Sequence, residues 1–139
     1  MEKNDLKKVA EAMKEIDFCM MTTVNGNGTM HSRPMSNNKD VEYDGDSYFF
    51  TCADTDKVSD IETTPRTSLA YQGGDMWFIE VYGESSITDD REAMEPYWQE
   101  NFSRWFKDGL DTDGLRMIKV SAKRISYWNK EEHGKIELE

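Results

Sequence analysis

The tetrapeptide Asn25-Gly26-Asn27-Gly28 separates two runs rich in β-formers, and it limits the possible folds more than any other feature of the chain. Asn and Gly tolerate the positive φ that tight hairpin turns demand, so the flanking runs are expected to return on each other as antiparallel strands. The first, Phe18 to Val24, is compact and apolar, with β-branched Thr22, Thr23 and Val24. The return run covers Thr29 to Ser36. It contains Pro34, which cannot donate a ladder hydrogen bond, so the strand is an edge there or is ending.

The same reading extends along the chain. Leu6, Val9, Ala10, Met13 and Ile16 follow helical spacing behind a cap at Asn4 or Asp5. After a polar stretch closed by Asp44-Gly45-Asp46, Ser47 to Cys52 reads as a third strand. A short helix capped by Asp54 or Thr55 runs through Lys57, Val58 and Ile61 and stops before Pro65, because the residue preceding proline disfavours helix. Arg66 to Gln72 is a fourth strand, ended by Gly73-Gly74. Met76 to Ile87 is a long alternating strand, with Trp77, Ile79 and Val81 on one face and a bend or bulge at Gly83. Asp89 or Asp90 opens a helical stretch broken at Pro96, and Asn101 to Phe106 makes one more turn. Leu115 to Trp128 is the last strand, and 130–139 is a charged tail. About six antiparallel strands with short flanking helices predict a mainly β protein, a small barrel with helical caps.

At 139 residues the chain is expected to be a single domain with a real core. A net charge of -11 works against nucleic acid and against an anionic membrane surface as partners, although a few clustered cations still suffice for one small phosphate. Cys19 and Cys52 lie in apolar runs and read as buried free thiols. With His31 and His133 in unlike contexts, no metal site is expected. The stretch Met1 to Asp5 lacks the apolar centre of a signal peptide, and no run approaches the ~18 apolar residues of a membrane span. The expectation is a soluble, cytoplasmic protein.

Arg33, on the return strand, and Lys57, in a helix's first turn, place a guanidinium and an ammonium at two element ends. Arg grips a phosphate through parallel N–H bonds, and a helix start adds unpaired N–H groups. Spacing alone favours reading both residues as ordinary surface cations, and Asp54 and Asp56 oppose an anion there. Ser32 and Thr51 carry hydroxyls that suit a phosphate or a ring carbonyl, or their own backbone. His31 reads first as a solvent-facing strand end. Phe49, Phe50, Trp77 and Trp128 are stacking surfaces for a planar ligand or, more simply, core. Tyr97, Trp98, Phe102, Trp105 and Phe106 make the stretch from Glu95 a packed lid, a dimer surface or a ligand cover. No nucleophile triad, Walker loop or dinucleotide fingerprint is present in the pattern, and no catalytic side chain is identified.

Cys19-Met20-Met21-Thr22-Thr23 followed by His31-Ser32-Arg33-Pro34-Met35 resembles the split-barrel flavin-binding proteins related to pyridoxamine 5′-phosphate oxidase, especially the general stress protein 26 branch. Ser47-Tyr48-Phe49-Phe50-Thr51, Asp56-Lys57-Val58, Tyr82-Gly83-Glu84-Ser85, the run from Leu115 to Val120 and Ile125-Ser126-Tyr127-Trp128 fit the same pattern. The similarity covers roughly Leu6 to Trp128. It implies a split β-barrel homodimer with FMN (FAD being possible) in a groove between subunits, and an oxidoreductase of unidentified substrate. A flavin carrier or sensor without turnover, or a haem or deazaflavin binder, is the alternative within the superfamily. It further implies that Arg33 and Lys57 hold the flavin phosphate. The backbone of Pro34, Met35 and Ser36 and of Phe49, Phe50 and Thr51 would border the isoalloxazine, with Ser32 a further contact. Pyridoxamine phosphate oxidation itself is not expected, because the Arg- and His-bearing C-terminal segment of those oxidases has no counterpart after Trp128.

Overall fold

The computed structural model describes residues 2–138, with side chains from residue 5 onward. The hairpin forms as its turn chemistry dictates. Strands β1 (Phe18–Val24) and β2 (Met30–Ser36) pair in register from Val24↔Met30 to Phe18↔Ser36. The Asn25 side-chain carbonyl accepts from the amides of Asn27 and Thr29, at 2.8 and 3.0 Å, and Gly28 takes φ +83°. An L side chain is strained at that φ.

The other strands are β3 (Asp46–Cys52), β4 (Arg66–Gln72), β5 (Phe78–Thr88) and β6 (Leu115–Trp128). They extend the hairpin into one antiparallel sheet of order β2-β1-β4-β5-β6-β3, the expected six strands curled into a split barrel. The path begins and ends on β2 and β3, which are neighbours in the chain but never pair. Two sheet edges are therefore left facing a gap, and helix α2 (Asp56–Thr63) leaves from the end of one of them.

Alternation built the interior. Met21, Leu69, Val81, Ile118, Val120 and Ile125 are fully buried, and Phe49 and Ile79 are nearly so. Each such side chain contributes roughly 1.5–3 kcal/mol by leaving water. Helix α1 (Glu2–Met13) adds Val9 and Met13 to the same cluster. It begins ahead of Asn4 and Asp5, so neither is its cap. The bulge expected at Gly83 is present as a register shift between Tyr82 and Gly83 against β6.

Two expectations change. β5 begins at Phe78 rather than Met76, because Asp75 and Met76 take φ 56° and 61° and belong to the turn, which Gly73 closes by donating to the Trp77 carbonyl at 2.9 Å. The charged stretch after Trp128 holds a seventh strand, β7 (His133–Glu137), paired with β6 from Trp128↔His133 to Arg124↔Glu137. Its one buried apolar side chain, Ile136, joins the core, and Gly134 lies beneath the Tyr127 side chain, where a Cβ would meet the hydroxyl oxygen at 2.6 Å and ring carbons at 2.7 Å.

The aromatic stretch is a packed lid. Asp90 caps helix α3 (Arg91–Met94) by accepting from the Glu92 amide at 3.1 Å, and two 3₁₀ turns follow. Met94, Trp98, Phe102 and Phe106 cover the outer face of β3 and β6. Tyr48 stacks on Tyr97 at 3.7 Å, and Phe50 meets Trp98 edge-on at 5.0 Å.

Candidate functional site

The gap between β2 and β3 collects the side chains of interest. On β2, period-two alternation puts His31, Arg33 and Met35 on one face, opposite Thr23, Met21 and Cys19 of β1. Arg33 Nη1 donates to Thr23 Oγ1 at 2.7 Å and lies 3.4 Å from the Met21 carbonyl. Across the gap, β3 ends at Cys52 and α2 starts at Asp56. Thr55 occupies the cap position, but its hydroxyl turns back to donate to the Cys52 carbonyl at 2.9 Å and caps no helix amide. The first N–H groups of α2 are left without a side-chain acceptor.

Lys57 reaches from that first turn to donate to the buried Thr51 hydroxyl at 2.9 Å. Burial lowers its pKa below the ordinary lysine value, and the nearby charge of Arg33 lowers it further. A lysine destabilised as a cation by burial and by a neighbouring guanidinium marks a place where an anion is stabilised. Asp54 and Asp56 act on Lys57 in the opposite sense, more weakly than burial and Arg33, and both are exposed.

The structure also sorts the other expected site residues. Thr51 stands with the cations. Met35 is buried, 7 % exposed, beneath Arg33's face of β2. The Ser32 hydroxyl bonds Thr22 Oγ1 at 2.6 Å on the opposite face, which Pro34 and Ser36 share, so from these three the gap meets backbone rather than side chain. Phe49 is core and Phe50 is occupied by the lid, so neither ring is a stacking surface, and β3 likewise offers its backbone edge. Trp77 packs toward Tyr127, and Trp128 lies on the sheet's outer face with 47 % exposure. Burial pushes the Cys19 thiol up to about 12, which removes it as a nucleophile at neutral pH. A small, partly open pocket lined by Ala10, Met13, Asn38, Tyr43 and Ser47 shares no residue with this group.

Two residues escaped the sequence reading. Asp60, in α2, is 6 % exposed, and Thr23 is fully buried. Thr23 Oγ1 donates to Asp60 Oδ2 at 2.7 Å, and His31 Nδ1 lies 3.8 Å from the same oxygen. The available signal was an aspartate directly beside Ile61 on a short amphipathic helix, a position that helical spacing leaves at the border of the buried face.

This architecture has relatives. A sequence profile described as pyridoxamine 5′-phosphate oxidase like matches residues 4–138. The chain belongs to that family. Among solved structures of similar fold is a Clostridium acetobutylicum protein related to general stress protein 26 of B. subtilis, with TM-score 0.83, 18% identity, and coverage of 99% of this chain and 96% of that one. General stress protein 26 of Bacillus anthracis gives TM-score 0.75 at 23% identity, covering 98% and 100%. The general stress FMN/FAD binding protein of Xanthomonas citri gives TM-score 0.79 at 21% identity, covering 94% and 92%. A search of curated proteins finds no significant match. Among the described residues of this pyridoxamine 5′-phosphate oxidase-like chain, no cluster of His, Cys, Asp and Glu suits a metal, and no helix is long and apolar enough to cross a membrane.

Proposed function

We propose that this chain is a single-domain flavoprotein that holds FMN in the gap between β2 and β3, with the phosphate clasped by Arg33 and Lys57. The observation that carries the reading is the convergence of those two cations beside an uncapped helix start, with Lys57 lowered by burial and by Arg33 more than the exposed Asp54 and Asp56 raise it. A relative of the same fold is described as FMN/FAD binding, which supports a flavin. The paired cations favour FMN over FAD, because a terminal phosphate monoester brings close to two charges to one point. The backbone of Pro34 to Ser36 and of Phe49 to Thr51 would border the ring, since edge strands keep unpaired N–H and C=O groups. FMN, when bound, supplies hydride and one-electron chemistry; the protein supplies binding, orientation and electrostatics. The fitting activity is that of an oxidoreductase. Anaerobic mixing of FMN-loaded protein with NADH or NADPH should bleach the flavin absorbance within seconds. No bleaching with either donor would leave a flavin carrier or sensor.

The working unit in this proposal is a homodimer. Phe18, Phe78 and Trp128 lie along one cross-strand row of the outer face, with Gln72 between the first two and Met20 beside Phe18, and all four apolar residues are 38–51 % exposed. Large apolar side chains gathered on an exposed sheet face suit a docking surface, and a second copy over them would wall the flavin groove. Phe18→Asp combined with Trp128→Asp should convert a sedimenting dimer to monomer and weaken FMN binding. A double variant that still sediments as a dimer would remove this face from the interface. The cytoplasm is the fitting compartment, because both cysteines are free thiols.

A further inference from the structure

We infer that Asp60, acting through Thr23, is a positioning residue that aims the Arg33 guanidinium at the phosphate. The inference rests on the FMN reading above and adds to it a determinant of phosphate selectivity on α2 and β1.

The direction of the hydrogen bonds is fixed by counting protons. Thr23 has one hydroxyl proton, and it goes to Asp60 Oδ2 at 2.7 Å, since the carboxylate can only accept. Thr23 Oγ1 must then present a lone pair to Arg33 Nη1, also at 2.7 Å. Asp60 and Arg33 do not bond directly: Nη2 lies 3.9 Å from Oδ2, beyond hydrogen-bond reach. The threonine is therefore the physical link. With Thr23 fully buried and Asp60 6 % exposed, no bulk water can replace either partner. The relay commits Nη1 to β1. It leaves Nη2 and Nε, the other edge of the fork, for two parallel bonds to a phosphate.

Charge and geometry oppose each other here, which makes the inference testable. The groups facing Asp60 are His31 and Arg33 from β2 and Thr23 from β1, with Lys57 on its own helix near Arg33. If Asp60 acted merely as a negative charge near a dianion, neutralising it would tighten FMN. If it aims Arg33, disturbing the relay weakens FMN while riboflavin, which lacks the phosphate, is unaffected.

The test is a pair of measurements on the full chain. Dissociation constants for FMN and riboflavin are taken for wild type, Thr23→Val, Thr23→Ser and Asp60→Asn. The order of the Arg33 Nε–H vector is measured by NMR in the flavin-free proteins. The expected result is a loss of about tenfold in FMN affinity in Thr23→Val, the value of one charge-assisted bond. A smaller loss is expected in Asp60→Asn, whose amide oxygen still accepts from Thr23. Riboflavin affinity stays constant, Thr23→Ser restores the wild-type ratio, and Arg33 Nε–H loses order in Thr23→Val. A wild-type FMN-to-riboflavin ratio in Thr23→Val, tighter FMN in Asp60→Asn, or unchanged Arg33 order would each overturn the relay. Failure of the flavin reading shows separately, as wild-type protein that takes up no FMN, and the Arg33 order then still decides whether Thr23 holds the guanidinium.

Discussion

Gly83→Ala should leave the chain unable to hold its fold at ordinary temperature. A Cβ at that position would stand 2.1 Å from the Ser121 carbonyl oxygen and 2.8 Å from its carbon, and 3.1 Å from the Ala122 Cα. All three are backbone atoms of β6, so no rotamer change relieves the contact. The bulge there lets the two longest strands, β5 and β6, approach closely while their register shifts. Opening it would separate the pair that joins the β1 side of the barrel to the β3 side. The cost should exceed about 4 kcal/mol, a large part of the 5–15 kcal/mol typical of a whole domain. Circular dichroism during heating checks this. Gly74→Ala is the control, since a Cβ at that glycine meets nothing within 4 Å. A Gly83→Ala protein that melts with the wild type would refute the assignment of the bulge.

Arg33→Ala should show the largest effect on binding. Two bonds from a guanidinium to a phosphate contribute about 3 kcal/mol or more together, so FMN affinity should fall on the order of 100-fold. Riboflavin affinity should fall far less. Stability should fall as well, because Arg33 is the nearest arginine to the buried Asp60 carboxylate and anchors the Thr23 hydroxyl. A fully buried pair broken on one side costs roughly 3–5 kcal/mol. At 3.9 Å, with the Arg33 side chain 20% exposed, the loss here should be smaller. Arg33→Lys separates the two effects. It keeps a cation near Asp60 and loses the fork, so it should recover more stability than FMN affinity. Isothermal titration with FMN and riboflavin, alongside chemical denaturation, reads both quantities.

How much of this was legible in the sequence depended on whether the signal was local. The hairpin at Asn25 to Gly28, the span of β4 and the span of β6 follow from turn residues and alternation, which operate within a few residues. The first residues of β5 were misread because Met76 and Trp77 continue the apolar pattern, while the left-handed backbone at Asp75 and Met76 delays the strand until Phe78. β7 was missed because Ile136 stands among charges, and its place is set by pairing with β6, not by its own composition.

The site divides in the same way. Arg33 and Lys57 could be named from local pattern and family resemblance, but their convergence depends on a sheet order that leaves β2 and β3 as opposing edges. Strand alternation turns Phe49 inward and Phe50 outward. It could not tell that a lid some fifty residues later in the chain (Trp98 and Phe102) would occupy the outer one. Asp60 was passed over because an aspartate in a short helix reads as solvated surface. Its burial arises from Thr23 and Arg33, which reach it across two strands.

The most direct measurement is a titration of flavin-free protein with FMN, followed by visible absorbance and flavin fluorescence, with riboflavin titrated in parallel. The account predicts saturable uptake at the molar amount of chains, micromolar or tighter, with riboflavin bound at least about tenfold more weakly for want of the phosphate contacts. Equal affinity for the two flavins, or no spectral change with FMN, would contradict a phosphate clasp formed by Arg33 and Lys57.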